Sequence, residues 1–132
     1  MVDVVFVNPD SSIYAYQGLA QTYSAIEPPT WSLLLASAVQ RNGFKPAILD
    51  CDAERLSLID SVKRITEIDA RIIVFVLYGQ NPNSGTTSMI GAIKLAQAIK
   101  EAGIGAPICF CGSHTQALPM SVLGNDCVDL IL

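Results

Sequence analysis

Few side chains in this sequence are equipped for chemistry, and they gather in three places. His114 is the only histidine, in the stretch Cys111-Gly112-Ser113-His114-Thr115. It reads as a hydrogen-bonding loop residue, because no second ligand stands at zinc spacing. Gly112 beside it lets a ligand approach the backbone closely. The second place is Tyr78-Gly79-Gln80-Asn81-Pro82-Asn83-Ser84-Gly85-Thr86-Thr87-Ser88, a polar, glycine-containing loop running into a helix N-terminus. Such a loop can seat a phosphate or another acceptor group. Ordinary capping by Ser84, Thr86 or Thr87 explains the same residues equally well. The third place is the acidic trio Asp50, Asp52 and Glu54, which fits a solvated turn better than a metal site. Four cysteines (Cys51, Cys109, Cys111, Cys127) form no Cys-x-x-Cys pair and read as reduced, buried thiols.

Familiar catalytic and nucleotide-binding patterns fail one by one. Neither Gly-x-Gly-x-x-Gly nor Gly-x-x-x-x-Gly-Lys follows the first strand-like run, so the phosphate cradles of dinucleotide and P-loop sites are absent. Asp50 could meet a ribose, but without the glycine loop the signal is weak. A phosphorelay receiver needs an aspartate ending its third strand, and here that stretch is Val76-Leu77-Tyr78-Gly79. No nucleophile–base pair marks a free-standing flavodoxin-like enzyme.

The elements that must position these residues alternate between strand-like and helical periods. Val4-Val5-Phe6-Val7, Ala47-Ile48-Leu49, Ile72 to Leu77, Pro107 to Phe110 and Val128 to Leu132 are apolar runs suited to strands buried on both faces. Between them, a helix capped by Thr30 carries Leu34, Leu35, Ala38 and Val39 inward and stops at Gly43. A second, capped by Ser57, carries Leu58, Val62 and Ile65. A third starts near Thr86 or Thr87, carries Met89, Ile93, Ala96 and Ile99, and ends at Gly103. Gln116 to Leu123 is a short fourth. This alternation implies parallel strands joined by right-handed crossovers. The expected fold is α/β: a doubly wound, flavodoxin-like, Rossmann-type five-stranded sheet in the order 2-1-3-4-5. The first connection, Asn8 to Pro29, is about twenty residues where two to six is usual. It holds Tyr14, Tyr16 and Tyr23, and would lie at the strand ends where open sheets bind ligands.

Composition narrows the function classes. Lys and Arg number 8 against 12 Asp and Glu, a net charge of −4. That disfavours a nucleic-acid binder, which needs a basic face, and a polybasic membrane-surface module. The chain is 51% apolar and 15% charged, which disfavours disorder. No apolar run approaches the ~20 residues of a membrane span, and the N-terminus lacks the flanks of a secretory signal. The expected location is cytoplasmic.

Four stretches in order carry a resemblance: Val5-Phe6-Val7-Asn8-Pro9; Glu27-Pro28-Pro29 with the apolar helix from Trp31 to Gly43; Ile48-Leu49-Asp50-Cys51-Asp52-Ala53-Glu54; and Cys111-Gly112-Ser113-His114-Thr115-Gln116-Ala117-Leu118-Pro119. Together they resemble the cobalamin-binding domain that precedes many radical S-adenosylmethionine enzymes. In mutases and methionine synthase such domains carry Asp-x-His-x-x-Gly after the first strand, whose histidine ligates cobalt. Here Asp10-Ser11-Ser12-Ile13-Tyr14-Ala15 places serine at the histidine position, and Cys111-Gly112 stands for their Gly-Gly. The radical subgroup generally lacks the axial histidine.

The resemblance implies base-off cobalamin with no protein histidine on cobalt, and Ser12 or a neighbour beneath the metal. Gly79, Ser84, Gly85, Gly112, Ser113 and His114 would line the path of the nucleotide tail. S-adenosylmethionine and an iron–sulfur cluster would belong to a C-terminal radical domain, the expected partner. Residues 1–132 would then be one domain of a longer protein, truncated at its C-terminus inside an apolar strand and catalysing nothing alone. A cofactor-free docking domain of the same fold is the alternative. Two further expectations follow: Gly112→Val blocks the tail while leaving the fold intact, and the uncovered fifth strand drives the isolated chain to self-associate.

Overall fold

The structure, a computed structural model, describes residues 1–12, 26–79 and 82–132, with the backbone alone for residues 82–84. Tyr14, Tyr16 and Tyr23, the remainder of the long first connection, and Gln80 and Asn81 lie outside the described residues. The strands are β1 (Val2–Asn8), β2 (Pro46–Asp50), β3 (Ala70–Leu77), β4 (Ile108–Gly112) and β5 (Leu130–Ile131). The helices are α1 (Thr30–Arg41), α2 (Leu58–Ile68), α3 (Pro82–Glu101), α4 (Ser113–Ala117) and α5 (Pro119–Leu123). The strands form one parallel sheet in the order β2-β1-β3-β4-β5. This is the flavodoxin-like, Rossmann-type arrangement that the strand–helix alternation predicts.

Side-chain alternation divides the core in two. Val5, Val7, Leu49, Ile73, Phe75, Leu77, Ile108 and Phe110 cluster with Ile65 of α2, Leu95, Ala96 and Ile99 of α3, and Val122 of α5. Phe75 and Phe110 are fully buried with ring centroids 4.9 Å apart, and burying each side chain contributes about 1.5–3 kcal/mol. The opposite face holds Phe6, Val74, Val76, Cys109 and Cys111 with Ala36 of α1.

Several boundaries differ from the sequence expectation for physical reasons. Thr30 is the first residue of α1 rather than its cap, and Pro29 holds the cap position without a side-chain hydrogen bond. The buried face of α1 is Ser32 and Ala36, flanked by Leu35 and Val39, while Leu34 is 58% exposed. Three consecutive leucines, Leu33 to Leu35, leave the helical phase undetermined, and packing against β1 and β2 chose the small residues for close approach. In α2, Ser57 caps as expected, its hydroxyl accepting from Asp60 N at 3.1 Å. Leu58 is exposed, and Ser61 joins Ile65 on the buried face.

The start of α3 is a correction. It begins at Pro82 rather than Thr86 or Thr87, because proline at the first helical position loses no hydrogen bond. The fourth helix is two, α4 beginning directly at Ser113 and α5 at Pro119. Leu118 breaks them at φ −132°, ψ 56°, as the residue before a proline is pushed out of the helical region. Leu130 is 48% and Leu132 73% exposed.

Candidate ligand edge

All five strands point the same way, so Asn8, Asp50, Leu77 and Gly112 end on one edge of the sheet. The strand order reverses between β1 and β3: the chain leaves β1 for α1 on one face and β3 for α3 on the other. Open sheets bind ligands in the crevice at such a point.

On the β3–β4 side, most of the residues that the resemblance selects do come together. Leu77 pairs with Gly112 in register. Gly112 has φ +155°, and a β-carbon there would overlap the Leu77 carbonyl oxygen and lie 2.8 Å from its carbonyl carbon. The glycine is therefore required by the meeting of two strand ends. This corrects the expectation for Gly112→Val, which would strain the fold itself. Gly85 lies inside α3, where a β-carbon would overlap Ser113 Oγ and come within 2.8 Å of Leu77 O. One turn of α3 is thus seated directly on β3 and α4. His114 Nδ1 lies 3.0 Å from Thr86 Oγ1, in keeping with a hydrogen-bonding role. Gly79 follows β3 on this edge and is half-buried; Ser84 is in the first turn of α3, its side chain outside the described residues. Thr115 Oγ1 is fully buried without a hydrogen-bond partner, a state that costs about 1–3 kcal/mol.

The β1–β2 side is polar and acidic. Asp50 accepts from Asn8 Nδ2 at 2.9 Å and from Ala53 N at 3.1 Å, so it organises the turn after β2. Glu54 points to Arg64 at 3.7 Å. Desolvation raises the Asp52 carboxyl from the ordinary 3.8 to about 6, with the neighbouring Asp10 and Asp50 charges adding to the rise. Asp10 Oδ1 accepts from Ser12 N at 2.8 Å, and Ser11 Oγ donates to Ser88 O at 3.0 Å. Ser12 is half-buried at this edge. A cavity of about 80 Å³ lies alongside, lined by Pro9, Asp10, Cys51, Ser57, Ser61 and Leu95 among others. Among the described residues no group of three or more His, Cys, Asp or Glu side chains is arranged to hold a metal ion. All four cysteines are free and buried, and burial pushes the Cys51, Cys109 and Cys111 thiols up to about 11. Such thiols are inert.

One cluster escaped the sequence reading. Trp31 is the second residue of α1, Tyr78 follows β3, and their ring centroids are 4.8 Å apart at 32°. Gln116 of α4 donates from Nε2 to the Tyr78 hydroxyl at 3.2 Å. Three distant segments meet here at the reversal point. The available signal was positional: a helix start and a strand end of a parallel sheet share one edge.

Fold and edge together define an open, doubly wound α/β sheet with polar groups gathered at the carboxyl ends of its strands. No protein-family profile matches the sequence, and no curated protein matches it. Among solved structures, the chain is similar to the radical S-adenosylmethionine methyltransferase TsrM from Kitasatospora setae, solved with tryptophan substrate and the S-adenosylmethionine analogue aza-SAM bound. The TM-score is 0.66 at 15% sequence identity, over 94% of this chain and 21% of that one. At that identity the likeness establishes the shared fold. Among the described residues no helix is long and apolar enough to cross a membrane.

Proposed function

We propose that this chain is a cobalamin-binding domain that works with a radical S-adenosylmethionine catalytic domain, the latter holding the iron–sulfur cluster and S-adenosylmethionine. The observation that carries the reading is the fold shared, over 94% of the chain, with part of a radical S-adenosylmethionine methyltransferase. The ordered motifs from Val5 to Pro119 point to the same family. Cobalamin, when bound, supplies methyl-transfer or radical-rearrangement chemistry, and the protein's part is to hold and orient it. Ser12, on the β1 side of the edge, would lie beneath the cobalt, with no protein histidine as ligand. Gly79, Ser84, Gly85, Gly112, Ser113 and His114 would stand along the nucleotide tail. The edge offers an open surface, and on its β3–β4 side Gly85 packs closely on Ser113, where a β-carbon would have no room.

Ultraviolet–visible titration with hydroxocobalamin tests the reading. A base-off spectrum at stoichiometric binding supports it, and an unchanged spectrum at high concentration removes it. That same closed contact favours a second reading, a docking domain of this fold with no cofactor of its own. The exposed Trp31, Leu33 and Leu34 of α1 would then meet the catalytic domain.

A further inference from the structure

We propose that Gly91 is a positioning residue: it seats the turn from Asp10 to Ser12 on α3, and so fixes Ser12 where the cobalamin reading needs it. This role rests on that reading and deepens it. It puts control of the first connection in a helix that none of the four resembling stretches contains.

Gly91 lies in the interior of α3, where alanine would favour the helix more. It is buried, and a β-carbon on it would overlap Asp10 O and Ser11 Oγ and lie 3.1 Å from Asp10 C. The helix therefore meets the backbone of the first connection with no side chain between them. One turn earlier on the same helix face, Ser88 O accepts from Ser11 Oγ at 3.0 Å, and Ser11 is only 8% exposed. Asp10 carries the contact onward, because its Oδ1 accepts from Ser12 N at 2.8 Å. A push on the Asp10 carbonyl is thus passed to Ser12 through the turn's own hydrogen bond.

The surroundings make such a push move the turn rather than the helix. Leu95, Ala96 and Ile99 bury α3 in the core, and Gly85, six residues before Gly91, rests on Leu77 and Ser113. At about 1.5 Å per residue, the two glycines are about 9 Å apart along the axis. One rigid helix therefore touches both sides of the edge: the ends of β3 and β4 through Gly85, and the turn after β1 through Gly91. The turn, by contrast, borders the cavity of about 80 Å³ that Asp10 lines together with Gly91, Leu95, Cys51 and Ser61. It has room to shift, so an added methyl group at position 91 displaces it locally.

Wild type, Gly91→Ala, Ser11→Ala and Gln97→Ala are compared. Ser11→Ala removes the hydroxyl without adding bulk, and Gln97 is an exposed residue of the same helix. Amide hydrogen exchange in the free protein is read at Ser12 and at Phe75 in the central strand, and affinity for hydroxocobalamin is read by absorbance. Gly91→Ala should speed exchange at Ser12 by about tenfold or more while leaving Phe75 unchanged. It should weaken hydroxocobalamin binding by about tenfold, the low end for residues that orient the surroundings of a metal. Ser11→Ala should move both readings the same way by about two- to fivefold, on the order of one hydrogen bond, and it carries the test if Gly91→Ala does not fold. Gln97→Ala should move neither. Exchange rising equally at Ser12 and Phe75 would mean a general loss of stability and would overturn the proposal. Faster exchange at Ser12 with unchanged affinity would overturn it too, leaving the cobalamin reading standing. A wild type that binds no hydroxocobalamin would overturn both.

Discussion

Replacing Gly112 with alanine is the sharpest test of what that residue does. Its φ of +155° lies where side-chain-bearing residues are strained, a penalty of about 1–3 kcal/mol. The new methyl would also overlap the Leu77 carbonyl oxygen and sit 2.9 Å from Leu77 Cβ. Leu77 cannot retreat easily, because it ends the central strand and is paired in register with residue 112 itself. Forcing a methyl into such a contact costs about a further 1–3 kcal/mol. The expected loss is therefore about 2–6 kcal/mol, a large part of the ~5–15 kcal/mol that holds a domain together. Urea unfolding, followed by far-ultraviolet circular dichroism and by the fluorescence of Trp31, the sole tryptophan, measures it. Gly105→Ala is the control, since nothing lies within 4 Å of a β-carbon there, and it should change stability by less than about 1 kcal/mol. A Gly112→Ala protein within about 0.5 kcal/mol of wild type, inside the scatter of ordinary surface substitutions, would refute the reasoning. The strand ends would then be free to part, and the glycine's purpose would return to ligand approach.

Ser57→Ala removes the cap of α2 and should destabilise the protein by about 1 kcal/mol, with faster amide exchange at Asp60, whose N–H the hydroxyl accepts. Asp52 has a folded pKa of about 6, above the ordinary 3.8, so protonation favours the folded state. Its contribution to stability is full below about pH 4 and is lost as pH rises through about 6. Wild type should therefore lose about 1 kcal/mol relative to Asp52→Asn between pH 4 and 7, solvent screening having cut the full conversion; parallel stability–pH curves would contradict this. Leu130, in the edge strand β5, and Leu132, just after it, are exposed, which invites association. Sedimentation velocity should show a concentration-dependent dimer that Leu130→Lys with Leu132→Lys abolishes, and a wild type monomeric at high micromolar concentration would rule it out.

Periodicity alone determined the architecture of this protein. Apolar runs without polar alternation demand strands covered on both faces, and helical segments between them demand parallel pairing, so a doubly wound α/β sheet followed from rules that act on every chain. The order 2-1-3-4-5 is the one of the few allowed orders that the folded chain adopts. The Ser57 cap and the glycines at positions 43 and 103, both at positive φ, were equally local: each serves backbone groups within a few residues of itself. The inward face of α1 was not local. Leu33, Leu34 and Leu35 are interchangeable until a sheet selects Ser32 and Ala36 for its closest approach. Gly85 likewise shows its packing role only in the fold, where it rests on Leu77 and Ser113, partners 8 and 28 residues away in number. Tertiary structure also showed a second demand on Gly112, the close meeting of the ends of β3 and β4 at Leu77. And only the folded chain brings Trp31, Tyr78 and Gln116 together, because contacts between side chains from three separate crossovers are set by how strands are ordered in space, which no local pattern of residue types encodes.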